Sequence, residues 1–176
     1  MADIGQNRVE EISPVAAGAN LGWALWEGSF RHANRRIDLN NPRGAAGMTW
    51  PIAEYDHDDP MFRQRQVAVT GVAVFRDSNI PQLSNKIVFG DNPNGELFYV
   101  DADTPANGGQ QQIGRILLND GDTDRPPWQL IQQASREQGR GVSNDADLRF
   151  GHGKDDQLFL LNKRDGIIRL LVPDRI

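Results

Sequence analysis

Residues 86–101 read KIVFGDNPNGELFYVD, and the fold turns on this stretch. Two apolar runs, KIVFG at 86–90 and ELFYV at 96–100, flank Asn92-Pro93-Asn94-Gly95. Runs this short and this rich in β-branched and aromatic residues spell strands rather than helix turns. The cluster between them is turn chemistry, with Gly95 placed where the backbone needs a positive φ. The expectation is an antiparallel hairpin.

The same texture extends outward in both directions. Residues 67–75 (VAVTGVAVF), 115–118 (RILL), 147–150 (DLRF), 157–161 (QLFLL) and 167–172 (IIRLLV) read as further strands. Lys163-Arg164-Asp165-Gly166 repeats the turn signal between the last two. Near the start, residues 2–5 read as the end of a strand, 6–9 as a turn and 10–15 as the next strand, so the chain is expected to begin inside a strand. Two segments break the pattern. Residues 39–51 form a Gly/Ala/Pro-rich loop. Residues 126–138 (PPWQLIQQASREQ) are the one helix candidate, with prolines suited to its first turn, Gly139 to end it, and Trp128, Ile131 and Ala134 on one face.

A weak internal repeat joins these elements. Residues 72–101 and 148–172 each read as a meander of three strands, displaced by roughly 75 residues. Units of about four short strands at a long period point to an all-β chain that forms a partial β-propeller, about two and a half blades of antiparallel meander with one short helix.

Composition bounds the function. The chain has 176 residues, 38% apolar and 24% charged, with mean hydropathy -0.57. Its net charge is -5 and its pI about 5.1, which argues against generic nucleic-acid binding, since duplex affinity rests on neutralising phosphates. The longest apolar stretches are about six residues, well short of the ~20 a membrane helix needs. No basic segment leads into an apolar one, so no signal peptide is visible. Cysteine is absent, which removes disulfides, thiolate chemistry and Cys-based zinc sites.

An ordered series of short motifs then suggests a family. It runs from Asp3-Ile4-Gly5-Gln6-Asn7 through Glu10-Glu11-Ile12, Gly18-Ala19-Asn20-Leu21-Gly22-Trp23 and Glu27-Gly28. Next come Pro51, Tyr55-Asp56-His57, Thr70-Gly71, Phe75-Arg76, Ile80-Pro81-Gln82-Leu83, Phe89-Gly90-Asp91 and Gly95. It closes with Asp147-Leu148-Arg149-Phe150-Gly151 and Asn162-Lys163-Arg164-Asp165-Gly166. In order and spacing the series resembles the C-terminal part of the glucose/sorbosone dehydrogenase-like family. These are six-bladed β-propellers that include the soluble pyrroloquinoline-quinone (PQQ) sugar dehydrogenases. The resemblance covers nearly all of residues 1–176, which would be the last two to three blades of a longer protein.

The resemblance implies a set of site residues. Gly5 and Gln6 match a turn whose carbonyls hold a calcium ion that grips the cofactor, and hard cations favour such oxygen donors. The loops facing the ligand would include 66–70 with Thr70, Asp91 and Asn92 with 93–94, Asn144 with 145–147, and Lys163 with Arg164. Tyr55 and His57 would line the substrate channel. Where the family carries a lysine, this chain has Pro93; where it carries two arginines, it has Asn144-Asp145-Ala146. PQQ is a trianion, so the missing cations weigh against it. The family's catalytic base lies in an earlier blade, which leaves no catalytic residue here and makes His57 a structural or channel-lining residue. His32 and His152 read as exposed.

Other patterns read more plainly. Asp56, Asp58 and Asp59 concentrate charge without calcium-loop spacing, and residues 120–124 (DGDTD) lack the distal glutamate of such a loop. Trp23, Trp26, Trp50 and Trp128 are packing residues, with a sugar-stacking platform as the alternative.

The expected function is therefore a segment of a sugar or alcohol dehydrogenase-like propeller, whose parent passes hydride from a sugar to a quinone. The resemblance implies PQQ and calcium as cofactors, a sugar or alcohol as partner, and a secreted or periplasmic location. The alternatives are a non-catalytic propeller binding module, or a gene fragment without independent activity. Open blade edges are expected to drive self-association, with no nucleic acid or membrane partner.

Overall fold

A computed structural model describes residues 1–42, 45–64, 66–76, 78–110, 112–121 and 123–174. The all-β expectation holds: short antiparallel strands in several small sheets, with one α-helix. The chain divides into two units, Met1–Val69 with Thr104–Ile113, and Thr70–Asp103 with Gly114–Ile176.

The first unit contains β1 (Ala2–Asp3), β2 (Val9–Ile12), β3 (Trp26–Glu27), β4 (Phe30–Ala33), β5 (Arg36–Pro42) and β6 (Ala53–Asp56). One sheet has the order β1-β2-β6, the other β3-β4-β5. β2 pairs with β6 in the register Val9↔Asp56, Glu10↔Tyr55, Glu11↔Glu54 and Ile12↔Ala53. All four residues of β2 are buried, so it lacks the apolar/polar alternation of a strand with one wet face. Val9, Ile12, Ala53 and Tyr55 supply the apolar part of that burial. The sheet β3-β4-β5 was not expected. β5 runs to Pro42, inside the stretch read as a loop from 39, and its partner β4 shifts register between Phe30 and Arg31. A proline is tolerated there because β5 is an edge strand and the missing N–H faces away from the ladder. Arg43 and Gly44 of that loop lie outside the described residues.

The second unit takes β7 (Val69–Phe75) from Thr70 onward, then β8 (Lys86–Asp91), β9 (Glu96–Asp101) and β10 (Gly114–Ile116), ordered β10-β9-β8-β7. After these come the hairpin β11 (Leu118–Asn119) with β12 (Asp124–Arg125), the helix α1 (Pro127–Glu137), and a meander of β13 (Leu148–His152), β14 (Leu158–Asn162) and β15 (Ile168–Leu170). The hairpin read from 86–101 forms in full register, Lys86↔Asp101 to Asp91↔Glu96. Gly95 and Gly166 both adopt positive φ, at 64° and 70°. A side chain at Gly95 would also meet Ala146 Cβ at 2.5 Å. Apolar side chains of both sheets and of the 3₁₀ turn Pro81–Leu83 form the core: Ala73, Phe75, Leu83, Val88 and Leu158 in one cluster, Leu97, Leu148 and Leu160 in another. Phe150 packs against both clusters. Gly71 gives that ring room, since a Cβ there would lie 2.4 Å from it.

The helix buries Pro127, Ile131 and Ser135 rather than the expected Trp128, Ile131 and Ala134. Spacing of four keeps those three on one line, and the Ser135 hydroxyl is satisfied by the Ile131 carbonyl at 2.9 Å. Among the described residues no helix is long and apolar enough to cross a membrane.

Candidate functional site

Four buried glutamates organise the first unit. Glu10, Glu11, Glu27 and Glu54 are each no more than 6% exposed. Buried carboxylates are costly unless hydrogen-bonded, so their partners explain why they are tolerated. Glu27, the last residue of β3, has Oε1 accepting the backbone N–H groups of Asn7, Arg8 and Val9 at 3.0, 2.7 and 2.9 Å. Three successive donors converging on one oxygen fold the turn that follows Gly5 around the carboxylate. Gly5 itself must lack a side chain, because a Cβ would lie 2.1 Å from the Val9 carbonyl and 2.8 Å from Glu27 Oε1.

The other three glutamates fasten neighbouring turns. Glu11 Oε1 accepts the Gly28 N–H. Glu54, directly across the ladder from Glu11, accepts the Ser29 N–H at 2.7 Å, the Ser29 hydroxyl, and the Gly109 N–H at 2.9 Å. Gly28 sits at φ 57° with Glu54 Oε2 in the space a Cβ would need. Glu10 bridges His57 Nε2 at 2.6 Å and the Val69 N–H at 2.7 Å.

The crowding of acids has an electrostatic consequence. Burial pushes the Glu11 carboxyl up to about 8, against the pull of the Gly28 N–H, and Asp3, Glu54 and Glu27 add to the rise. Glu11 is therefore mostly protonated at neutral pH. Asp3 is also raised, chiefly by burial. For His57, burial works to lower the pKa, but the hydrogen bond to Glu10 and the fields of Glu10, Glu27 and Asp56 outweigh it and raise it. With Nε2 engaged by the buried Glu10 carboxylate, that nitrogen is not open to a substrate hydroxyl.

The remaining candidates of this unit are placed as follows. Gly5 and Gln6 form the turn above Glu27, and among the described residues no hydrogen bond reaches their carbonyls. Glu27 Oε2 is buried without a hydrogen-bond partner and lies 4.0 Å from His32 Nε2. Oxygen donors of this kind match calcium's preference. Among the described residues, however, no group of three or more His, Asp or Glu is arranged to hold a metal ion. Tyr55 is buried against the Phe62 ring at 5.5 Å, a core position. His32, expected to be exposed in a loop, instead lies on β4 with its side chain only 10% exposed, its ring tilted at 41° to that of Trp23 with centroids 5.1 Å apart. Trp23 is exposed and does not pack into a core. Arg8 pairs with Asp56 and Asp58, consistent with a surface loop there.

The second unit gathers several candidates into one loop cluster. Asp91 is fully buried, and its Oδ1 holds the Asn94 N–H at 3.0 Å and the Asn94 amide at 2.9 Å, closing the β8–β9 turn. The turn is tied to the segment entering β13: Asn92 Nδ2 donates to the Leu148 carbonyl at 3.0 Å, and the Pro93 carbonyl accepts the Ala146 N–H at 2.8 Å. Asn162 reaches the Ala146 carbonyl from β14. Lys163 and Arg149 lie 3.5 and 3.0 Å from Asp147, and Arg164 lies 3.1 Å from Asp145. So Asp91, Asn92, Asp147 and Lys163 come together here, and Asn144 belongs to the same segment. Thr70 stands half-buried near the start of β7. Beside the cluster lies a hollow of about 370 Å³ lined by Asp147, Arg149, Asn162, Lys163 and Ile168 among others. His152 ends β13 and is exposed, as expected. Asp122, within the 120–124 stretch, lies outside the described residues.

The cluster does not fit a PQQ trianion. Its cations each face a carboxylate of the same cluster, Lys163 and Arg149 at Asp147 and Arg164 at Asp145, and the aligned positions 93 and 144–146 carry none.

No family model matches the chain. It is 25% identical to the HIPL1 protein of Arabidopsis thaliana over 176 residues, covering 99% of this chain and 24% of that protein. It is 25% identical to the HIPL2 protein of the same organism over 80 residues, 46% of this chain and 12% of that protein. The chain thus spans about a quarter of the length of the HIPL1 relative.

The buried glutamates are what sequence reasoning missed as a group. A signal was present: Glu10-Glu11 inside the short run VEEI, and Glu27 beside Gly28, put charge where a strand and a tight turn leave little solvent.

Proposed function

We propose that the chain builds part of a β-propeller of the glucose/sorbosone dehydrogenase-like kind. In a longer parent it would help form the mouth of a channel that takes a sugar or related alcohol. The observation that supports this reading best is in the second unit. Two sheets of consecutive antiparallel strands, β7 to β10 and β13 to β15, are joined where the β8–β9 turn bonds to the segment entering β13. Turn and segment are the two kinds of loop that would line a channel mouth in such a fold.

In this reading the turn at Gly5 and Gln6 would hold calcium through main-chain carbonyls in the parent, and any quinone and the catalytic base would be held by residues of the parent outside this chain. A second reading, a propeller that binds a neutral hydroxylated ligand without quinone chemistry, is favoured by the self-paired charges at Asp145, Asp147, Arg149, Lys163 and Arg164.

The chain supplied with PQQ and calcium is expected to give no sugar-dependent dye reduction across a panel of aldoses and polyols. Turnover above about 1 s⁻¹, a low rate for an enzyme, would show that the catalytic machinery resides in these residues after all. Tight PQQ binding by a longer parent, measured by fluorescence titration, would favour the quinone reading over the neutral-ligand one. Sugar binding without PQQ binding would favour the latter.

A further inference from the structure

The sheet β3-β4-β5 gathers exposed apolar and cationic residues at one end. Its ladder pairs Trp26 with Arg31 and Ala33 with Arg36, and the His32 N–H donates to the Leu25 carbonyl at 2.8 Å, one step beyond β3. Residues 23–25 therefore lie at the same end as the turn of Asn34 and Arg35. Trp23 and Leu25 are 58% and 70% exposed, and Ala24 between them is exposed as well. Among the described residues Leu25 is the most exposed large apolar side chain.

Arg31, Arg35 and Arg36 bring three exposed cations to the same hairpin. The chain carries a net charge of -5, and Arg8, Arg76, Lys86 and Arg115 each find a carboxylate. Among the described residues none of these three arginines does. Asp38 stands opposite Arg31 in the ladder, but its Oδ1 takes the Asn40 N–H at 3.0 Å. The turn itself is built at a cost. Asn34 and Arg35 have φ of 51° and 60°, the pattern of a hairpin turn in which Gly is preferred after Asn. An arginine in this region is strained, and the Asn7 amide holds it there by donating to the Arg35 carbonyl at 2.7 Å. Among the described residues nothing bonds to the Arg35 guanidinium, so the strain serves no contact within the chain.

We propose that this end of the sheet docks on an anionic phospholipid surface. Trp23 and Leu25 enter the boundary between headgroups and acyl chains, and Arg31, Arg35 and Arg36 pair with lipid phosphates and carboxylates. The combination of residues selects this partner. A soluble polyanion would neutralise the arginines but leave Leu25 in water. A dry protein interface would cover the apolar side chains but strand three desolvated guanidinium groups unless it supplied matched carboxylates. A bilayer surface offers anions above and hydrocarbon below, and tryptophan is enriched at that boundary. Contact with a surface needs no spanning helix, so the short apolar runs that speak against a membrane-crossing segment leave it open. Each arginine near such a surface adds a modest, salt-sensitive attraction, which makes the binding weak and reversible.

Co-sedimentation of the chain with vesicles tests this. Vesicles of phosphatidylcholine mixed with phosphatidylserine should carry the chain down, and phosphatidylcholine alone several-fold less. Raising salt from about 0.1 to about 1 M, which cuts the screening length from ~10 to ~3 Å, should release most of it. Arg35→Glu combined with Arg36→Glu should weaken binding by about tenfold or more. Arg140→Glu combined with Lys154→Glu makes the same change of net charge at exposed positions of the second unit, and should weaken it by no more than about twofold. Leu25→Ser should weaken binding several-fold and keep its salt dependence. Unchanged circular dichroism spectra show that the variants fold. Failure to sediment with the mixed vesicles, or equal losses from the two charge-reversed pairs, would overturn the proposal. So would vesicle binding that Leu25→Ser leaves unchanged, the behaviour of a polyanion site that soluble dextran sulfate would fill equally well. If a longer polypeptide carrying these residues does not bind the mixed vesicles, this end is covered there by other parts of the chain, and the proposal falls.

Discussion

Replacing Glu27 by alanine is expected to lower stability by roughly 3 kcal/mol or more, since buried donors left without a partner cost about 1–3 kcal/mol each. The change strands the N–H groups of Asn7, Arg8 and Val9, all three of which donate to this one carboxylate oxygen. Val9 is buried while Asn7 and Arg8 are half-buried, so water can take up only part of what the three donors lose. Glu27→Gln keeps an acceptor oxygen but gives up the charge that strengthens all three bonds, so its loss should be about half as large. Urea unfolding followed by tryptophan fluorescence measures both. An alanine variant within about 0.5 kcal/mol of the parent, the usual range for surface substitutions, would mean that the turn is held by something other than Glu27.

The second large effect is one of pH. Glu11 titrates near 8 in the folded chain and near its ordinary value of 4.5 when unfolded. Between these values the folded state holds a proton that the unfolded state has lost, so stability must fall as pH rises through that window. The stabilising contribution is fully present below about 4.5 and gone above about 8. The swing is on the order of a few kcal/mol. His57, whose pKa is also raised, contributes with the same sign: its pair with Glu10 stabilises below the ordinary histidine value and is lost as pH rises through the raised one. Glu11→Gln keeps an acceptor for the Gly28 N–H and removes the titration. Between pH 5 and 8 it should lose clearly less stability than the parent chain, the remaining loss being the part that His57 contributes. Parallel pH profiles for the two would show that Glu11 ionises freely in the folded state.

The two units were not equally legible. In the second, apolar runs such as KIVFG, ELFYV and QLFLL mark strands whose burial rests on side-chain hydrophobicity, and NPNG and KRDG mark turns whose glycines adopt positive φ. Strand ends were less so. The stretch read as 167–172 narrows to Ile168–Leu170, and the one read as 67–75 starts at Val69, because pairing partners rather than composition set the limits. In the first unit β3, β4 and β5 show little hydrophobic periodicity, and most residues of β5 are exposed. That unit is held by carboxylates that take up backbone donors, an arrangement with no periodic signature. The candidate site followed the same division. The residues carried by resemblance in the second unit meet in space at Asn92, Asp147 and Lys163. Their mutual charge pairing could be found only from the folded geometry.

The propeller reading is tested most directly by the crystal structure of a longer polypeptide that carries these 176 residues. The account predicts that the sheets β7 to β10 and β13 to β15 stand as neighbouring blades around one axis, with Asn92, Asp147 and Lys163 at the mouth of the central channel. Two sheets stacked face to face as a sandwich, or closed on themselves as a barrel, would contradict it.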